Sequence, residues 1–302
     1  MTSNRRAAVA TVAIGAALLA LAPIGMRVSE VGPLATAFWR FVFALPVLGA
    51  VFAAGDRALP KDRLPALFLA GLFFAFDLTL WHAALGRTSI VNATLATNMT
   101  PIITAAAGYF LFKERVKPIY AAGAGAALLG AVLLSFARAE GGGPMSGTSG
   151  LVGDLMGLGS AFWYALYLII MRREREMVSA RAAIFVTTFA SAIVALALSL
   201  WAGEKLAPAS LIGWLDLVAL GLFVQAAGQG LIAYGIGRLP IALSTVLLWI
   251  QPVAAAALSW LFFGEATAPI GVLGAGLVLA GVFIAQGGRI TKPAPISAPS
   301  TD

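Results

Sequence analysis

Apolar and polar positions alternate along this chain in long blocks: runs of about twenty mainly apolar residues, enough for a helix to cross a hydrocarbon core, are separated by short polar breaks. Ten such runs are predicted, at 8–26, 33–53, 64–85, 89–112, 119–136, 151–171, 182–201, 211–235, 241–263 and 270–285. Most breaks carry turn or charge signals, such as Gly55-Asp56-Arg57 and Gly86-Arg87, so neighbouring helices are expected to run antiparallel. One break differs. The stretch AEGGGPMSGTSG at 139–150 is rich in Gly and Ser and lies midway, which predicts a flexible link between a first half at 1–138 and a second at 151–289. The end, 290–302, with its TKPAPISAPSTD bias, reads as disordered tail.

Composition agrees with the pattern. Of 302 residues 60% are hydrophobic and 11% charged, with a mean hydropathy of +0.93, which places the chain in a bilayer as an integral, multi-pass membrane protein. The net charge of +7 sits in short clusters between apolar runs and forms no continuous basic stripe, so it reads as a topology signal and no nucleic-acid partner is expected. With no cysteine and a single histidine, neither a thiolate nor a histidine metal cage is available, and no metal or cofactor is expected. No GxxxxGK[ST] loop and no clustered nucleophile and base are present, so neither ATP-driven pumping nor an enzyme is expected. Arg5-Arg6 before the first run resembles a secretory signal, but the run is long enough to span and is expected to be retained.

A shift of 151 residues lays 86–138 over 237–289 without a gap, with roughly a third of positions identical. Thr94/Thr245, Pro101/Pro252, Glu114/Glu265, Gly123/Gly274, Gly130/Gly281 and Arg138/Arg289 are among the matches. Five helices per half is an odd number, so the second copy enters the membrane inverted relative to the first. With both termini in the cytoplasm, the inner face gathers most of the Lys and Arg, as expected for insertion with basic loops inside. That assignment also explains why FLFKERVKPI (110–119) is basic while its twin LFFGEATAPI (261–270) is not: the twin falls outside.

An inverted five-plus-five repeat, with TPIITAAAGYFLFKE and QPVAAAALSWLFFGE in the fourth and ninth helices and FWRF in the second, resembles the drug/metabolite transporter superfamily, EamA type. The resemblance covers nearly the whole chain. It implies an all-α, polytopic inner-membrane protein and secondary transport of a small molecule. Export of amino acids or related small metabolites is most often implied, with a central cavity between the halves. The superfamily also holds nucleotide-sugar and other carriers, so uptake and other cargo stay open, as does a channel. Loop 264–268 departs from its basic twin, which topology accounts for.

Inverted-repeat transporters usually bind substrate near the midplane. Pro101 and Pro252 fall there and loosen their helices one turn upstream, around Thr97 and Leu248, which makes them hinge candidates. Helical spacing puts Thr94, Asn98 and Pro101 on one face and Thr245, Trp249 and Pro252 on the matching face of the ninth helix, an amide wall opposite an indole wall. Asp77 and Trp81 share a face of the third helix, with His82 beside them; a mid-membrane carboxylate is fit to carry a proton as coupling ion or to hold a substrate ammonium. Gln225 and Gln229 share a face of the eighth helix. Ser160, Trp163, Tyr164 and Tyr167 form an aromatic stripe in the sixth, with Trp163 and Tyr164 the cavity candidates and Tyr167 expected in the interfacial belt. Arg40 is expected in the outer third of the second helix, where it can snorkel or meet a carboxylate, as a structural anchor or in contact with substrate. Glu114 and Glu265 are expected to cap the helices that start at Pro118 and Pro269, and Gly123, Gly125, Gly274 and Gly276 to let helices approach closely. Oligomeric state is left open.

Overall fold

The computed structural model describes residues 3–55, 59–85, 87, 96–114, 117–140, 151–264 and 268–287. Among these the chain is all helix, without a strand. Nine helices of the described residues are long and apolar enough to cross a membrane: Arg5–Val28, Pro33–Ala53, Lys61–Trp81, Pro118–Ala137, Leu151–Glu174, Ala180–Trp201, Leu211–Ile236, Ile241–Phe262 and Pro269–Gly287. The shorter apolar helix Thr100–Phe112 takes fourth place, and the spans are numbered first to tenth in chain order. The start of the predicted fourth span, 89–95, lies outside the described residues, as do 141–150 of the linker and the tail.

Four spans depart from a continuous α-helix. The first is interrupted at Ala20 and Leu21, the fourth is preceded by a turn at Asn98 and Met99, and the ninth breaks at Leu248 and Trp249 between Ile241–Leu247 and Ile250–Phe263. Each break lies just upstream of a proline, Pro23, Pro101 or Pro252, whose ring lacks an N–H and crowds the carbonyl four residues back. The eighth span is wound as a π-helix over Leu220–Gln229, the segment that carries both of its glutamines.

The helix pairing is two-fold. The fifth span packs on the tenth, the second on the seventh and the fourth on the ninth; the third packs on the sixth as the first packs on the eighth. Exchanging the halves returns the same set of pairs, which is the pattern of two inverted repeats. Glycines show the same symmetry at short range. A Cβ on Gly123 would lie 2.6 Å from the Gly281 carbonyl and one on Gly130 2.5 Å from the Gly274 carbonyl, and the reverse pairs are equally tight, so the fifth and tenth backbones touch. Gly125 and Gly276, expected to serve that approach, face open space instead, and the repeat partners Gly130 and Gly281 supply the contact.

Carboxylates from one half cap helices of the other. At one end Glu204 accepts from the Ala35 N–H (2.8 Å) at the start of the second span, and Glu30 accepts from the N–H groups of Ala209 (2.8 Å) and Ser210 (2.9 Å) before the eighth. Gly32 makes room for this, since any Cβ there would meet the Glu204 carboxyl at 2.2 Å. At the opposite end Glu114, buried, accepts from the Ile241 N–H (3.0 Å) where the ninth span begins. Beyond the helix beginning at Pro118, which Glu114 was expected to serve, its carboxylate crosses to the other half and meets the positive end of the ninth span. Glu265 lies outside the described residues.

Candidate functional site

Two opposite charges are buried midway along the bundle. Asp77, in the third span, is 9% exposed and takes a hydrogen bond of 2.5 Å from the Ser160 hydroxyl of the sixth. Arg40, in the second, is 7% exposed, so it is buried and does not snorkel as expected, and its hydrogen bonds go to an amide. Its Nε and Nη2 both donate to Gln225 Oε1, at 3.2 and 3.0 Å, and the Gln225 amide donates in turn to Thr188 (2.9 Å). The guanidinium lies over the Phe74 ring, 5.8 Å from its centroid, and Phe74 is one turn before Asp77 on the same helix. The two charges lie within electrostatic reach of one another, yet no ion pair joins them among the described residues. Burying either ion in a membrane span is expensive, so a layer that holds both without an ion pair between them is a candidate site.

Aromatic rings wall this layer on one side. Phe74 stacks on Tyr167 (4.8 Å between centroids) and Tyr167 on Tyr164 (5.7 Å), while Trp163 packs against Phe73 and Phe76 at 4.9 and 5.4 Å. Tyr167 is 1% exposed, which moves it from the expected interfacial belt into the core. Two polar atoms in the neighbouring helix breaks, Asn98 Nδ2 and Trp249 Nε1, are buried without a hydrogen-bond partner, and in the layer itself the Tyr164 hydroxyl and the Gln229 amide lie beside one another. Such orphans are rare in native interiors and call for an explanation. Asn98 and Trp249 stand in the paired turns of the fourth and ninth spans, one in each repeat. The first turn is fixed beside the sixth span, where the Thr100 hydroxyl donates to the Ala161 carbonyl at 3.3 Å.

The other residues singled out from sequence divide. Trp81 lines a narrow cleft beside Arg40, Thr36 and Leu78 with about 10 Å³ of free space, room for a single water and no more. Thr245 is fully buried, its hydroxyl 2.8 Å from that of Thr104, where it joins the ninth span to the fourth and lines no open space. Pro101 and Pro252 sit in the first turns after the two breaks. Thr94 lies outside the described residues, and so does the side chain of His82. Arg40, whose signal in the sequence was a lone arginine in an apolar helix, joins the candidate layer through Gln225. Thr188 had no signal, because a threonine in a helix of small residues looks like packing.

Residues 6–136 and 151–286 match the EamA-like transporter family, once for each half. The chain belongs to that family. As an EamA-like transporter it is a multi-pass integral membrane protein that moves small molecules across a bilayer. It is similar to the uncharacterized transporter YdfC of Bacillus subtilis (strain 168), 27% identical over 223 residues that cover 74% of this chain and 71% of the relative. A protein of known crystal structure shares its fold, with a TM-score of 0.77 over 92% of this chain and 96% of that one at 22% identity.

Proposed function

We propose that this EamA-like transporter is a secondary active carrier, an exporter of amino acids or closely related zwitterionic metabolites, that works by alternating access. The observation that carries this reading is the buried layer that holds Asp77 and Arg40 without pairing them. A zwitterion completes it: its ammonium meets Asp77, its carboxylate the uncommitted Nη1 of Arg40, and its remaining polar groups Gln229, Tyr164, Asn98 and Trp249. The free space beside Arg40 is too small for such a molecule, so binding requires the halves to part. Breaks ahead of Pro101 and Pro252 supply the points at which the fourth and ninth spans bend. In this reading both termini are cytoplasmic, the membrane is the cytoplasmic one, and Asp77 carries the coupling proton when substrate has left.

The test is counterflow in proteoliposomes loaded with an unlabelled amino-acid mixture and given labelled amino acids outside. Wild type should accumulate label transiently. Asp77→Asn and Arg40→Gln, each removing one charge-assisted contact worth about 1.5–3 kcal/mol, should lower apparent affinity by roughly ten- to a hundredfold. Flux without counterflow would assign a pore, and no flux of any amino acid would remove the cargo from this reading.

A further inference from the structure

A second cavity lies on the flank of the bundle, with Leu220 standing between it and the cleft beside Arg40. It is a groove of about 500 Å³, lined by Leu21, Ile24 and Val28 of the first span, Asp216 and Phe223 of the eighth and Phe262 of the ninth. Its walls are open to the outside of the bundle: Val28 is 48%, Phe223 53% and Phe262 60% exposed. In a chain that spans a bilayer, that outside is lipid. Its volume falls within the about 300–1,000 Å³ of sites that enclose a drug-sized ligand.

One polar group interrupts the apolar lining. Asp216 Oδ2 is buried and has no hydrogen-bond partner, and Asp216 makes no ion pair among the described residues. Glu30 and Glu204, carboxylates at this end of the bundle, are already committed, the first to Ala209 and Ser210 and the second to Ala35. Gly25 leaves space for Asp216, since a Cβ there would lie 2.9 Å from Oδ1. Asp216 is five residues into the span that starts at Leu211, about 7.5 Å along the helix axis. That depth is where headgroups meet acyl chains, and Val28 and Phe262 sit at the corresponding ends of their own spans. A carboxylate at headgroup level, with N–H donors wanting and apolar walls beside it, is complementary to an amphiphile with an ammonium head and a hydrocarbon tail.

We propose that this groove holds a bilayer phospholipid with a primary ammonium headgroup, the ammonium donating to Asp216 and one acyl chain lying along Ile24, Val28, Phe223 and Phe262. The proposal does not depend on what the protein carries, and the site opens to lipid on the far side of Leu220 from the cleft beside Arg40. It ties the first, eighth and ninth spans together at the lipid face, beside the break at Ala20 and Leu21.

The test uses full-length protein in nanodiscs of phosphatidylethanolamine or phosphatidylcholine with identical chains, followed by native mass spectrometry of retained lipid. Wild type should keep one ethanolamine lipid with about tenfold preference over choline lipid, which has no N–H to give. Asp216→Asn should lose the preference, and Phe223→Ala should retain fewer lipids of either kind, with thermal melting in detergent to show that both variants are folded. Equal retention of the two lipids by wild type, or a preference unchanged in Asp216→Asn, overturns the proposal. So does protection by dodecylamine in choline-lipid nanodiscs without any ethanolamine preference, which would assign the groove to a free lipophilic amine.

Discussion

Lys113 shows how one residue answers two demands. It ends the fourth span with φ 55°, the left-handed region, and its repeat partner Gly264 ends the ninth with φ 66°. For a residue with a Cβ this conformation costs roughly 1–2 kcal/mol, whereas glycine enters it freely. The basic loop that topology favours on one side of the membrane thus carries strain that its twin does not. Lys113→Gly and Lys113→Ala remove the same charge, but only the first relieves the backbone. In chemical unfolding of the purified protein, Lys113→Gly should therefore be more stable than Lys113→Ala by about 1 kcal/mol; equal midpoints would mean that the turn relaxes at no cost. Sequence comparison of the two loops exposed the charge difference and concealed the shared backbone, because a φ angle leaves no mark on a lysine.

At the level of elements, the spans were legible because a membrane helix is a long apolar run, and the predicted 33–53 and 64–85 coincide with Pro33–Ala53 and Leu64–Leu85. What sequence leaves unread is which neighbour each face meets. Gly125 and Gly130 look alike in a Gly-rich helix, yet only Gly130 touches the tenth span. Gly130→Ala would force its new methyl onto the Gly274 carbonyl and the Val278 nitrogen, both at 2.5 Å, an overpacking worth about 1–3 kcal/mol. Gly125→Ala has no atom within 4 Å to meet. Melting curves in detergent should fall for the first and stay at the parental temperature for the second. Similarly, the π-wound stretch Leu220–Gln229 cannot be seen in its composition, although the two glutamines it carries were visible, and the site was legible in its residue types more than in their partners.

For the molecule as a whole, the ends of the bundle differ in how they are fastened. One end is held by Glu30 and Glu204, together with the Trp39 indole donating to the Leu206 carbonyl at 2.6 Å. The other is held by the Glu114 cap and by Arg175, which donates to the Ala233 carbonyl (3.0 Å) at the end of the eighth span; burial lowers its pKa to about 10, so it stays charged at neutral pH. Glu30 is the exposed member of this set, and hydrogen bonds from the Ser210 hydroxyl and N–H hold its carboxyl below the ordinary 4.5. A depressed carboxyl stabilises the fold above its unfolded pKa and stops doing so as pH falls through the folded one. The advantage of wild type over Glu30→Gln in thermal melting should thus be constant from pH 7 to about 4.5 and vanish in more acidic buffer. An advantage that disappears already near pH 6 would trace it to another group.

The crossed caps also bear on how the chain is made. A ribosome delivers the first half while the partners of its helix ends do not yet exist: Ala35 waits for Glu204, and Glu114 for Ile241. Until the later spans arrive, the Ala35 amide lacks its cap and Glu114 lacks the helix end it meets in the other half. The two halves repeat one unit, and these contacts leave helix ends of each to be capped by the other.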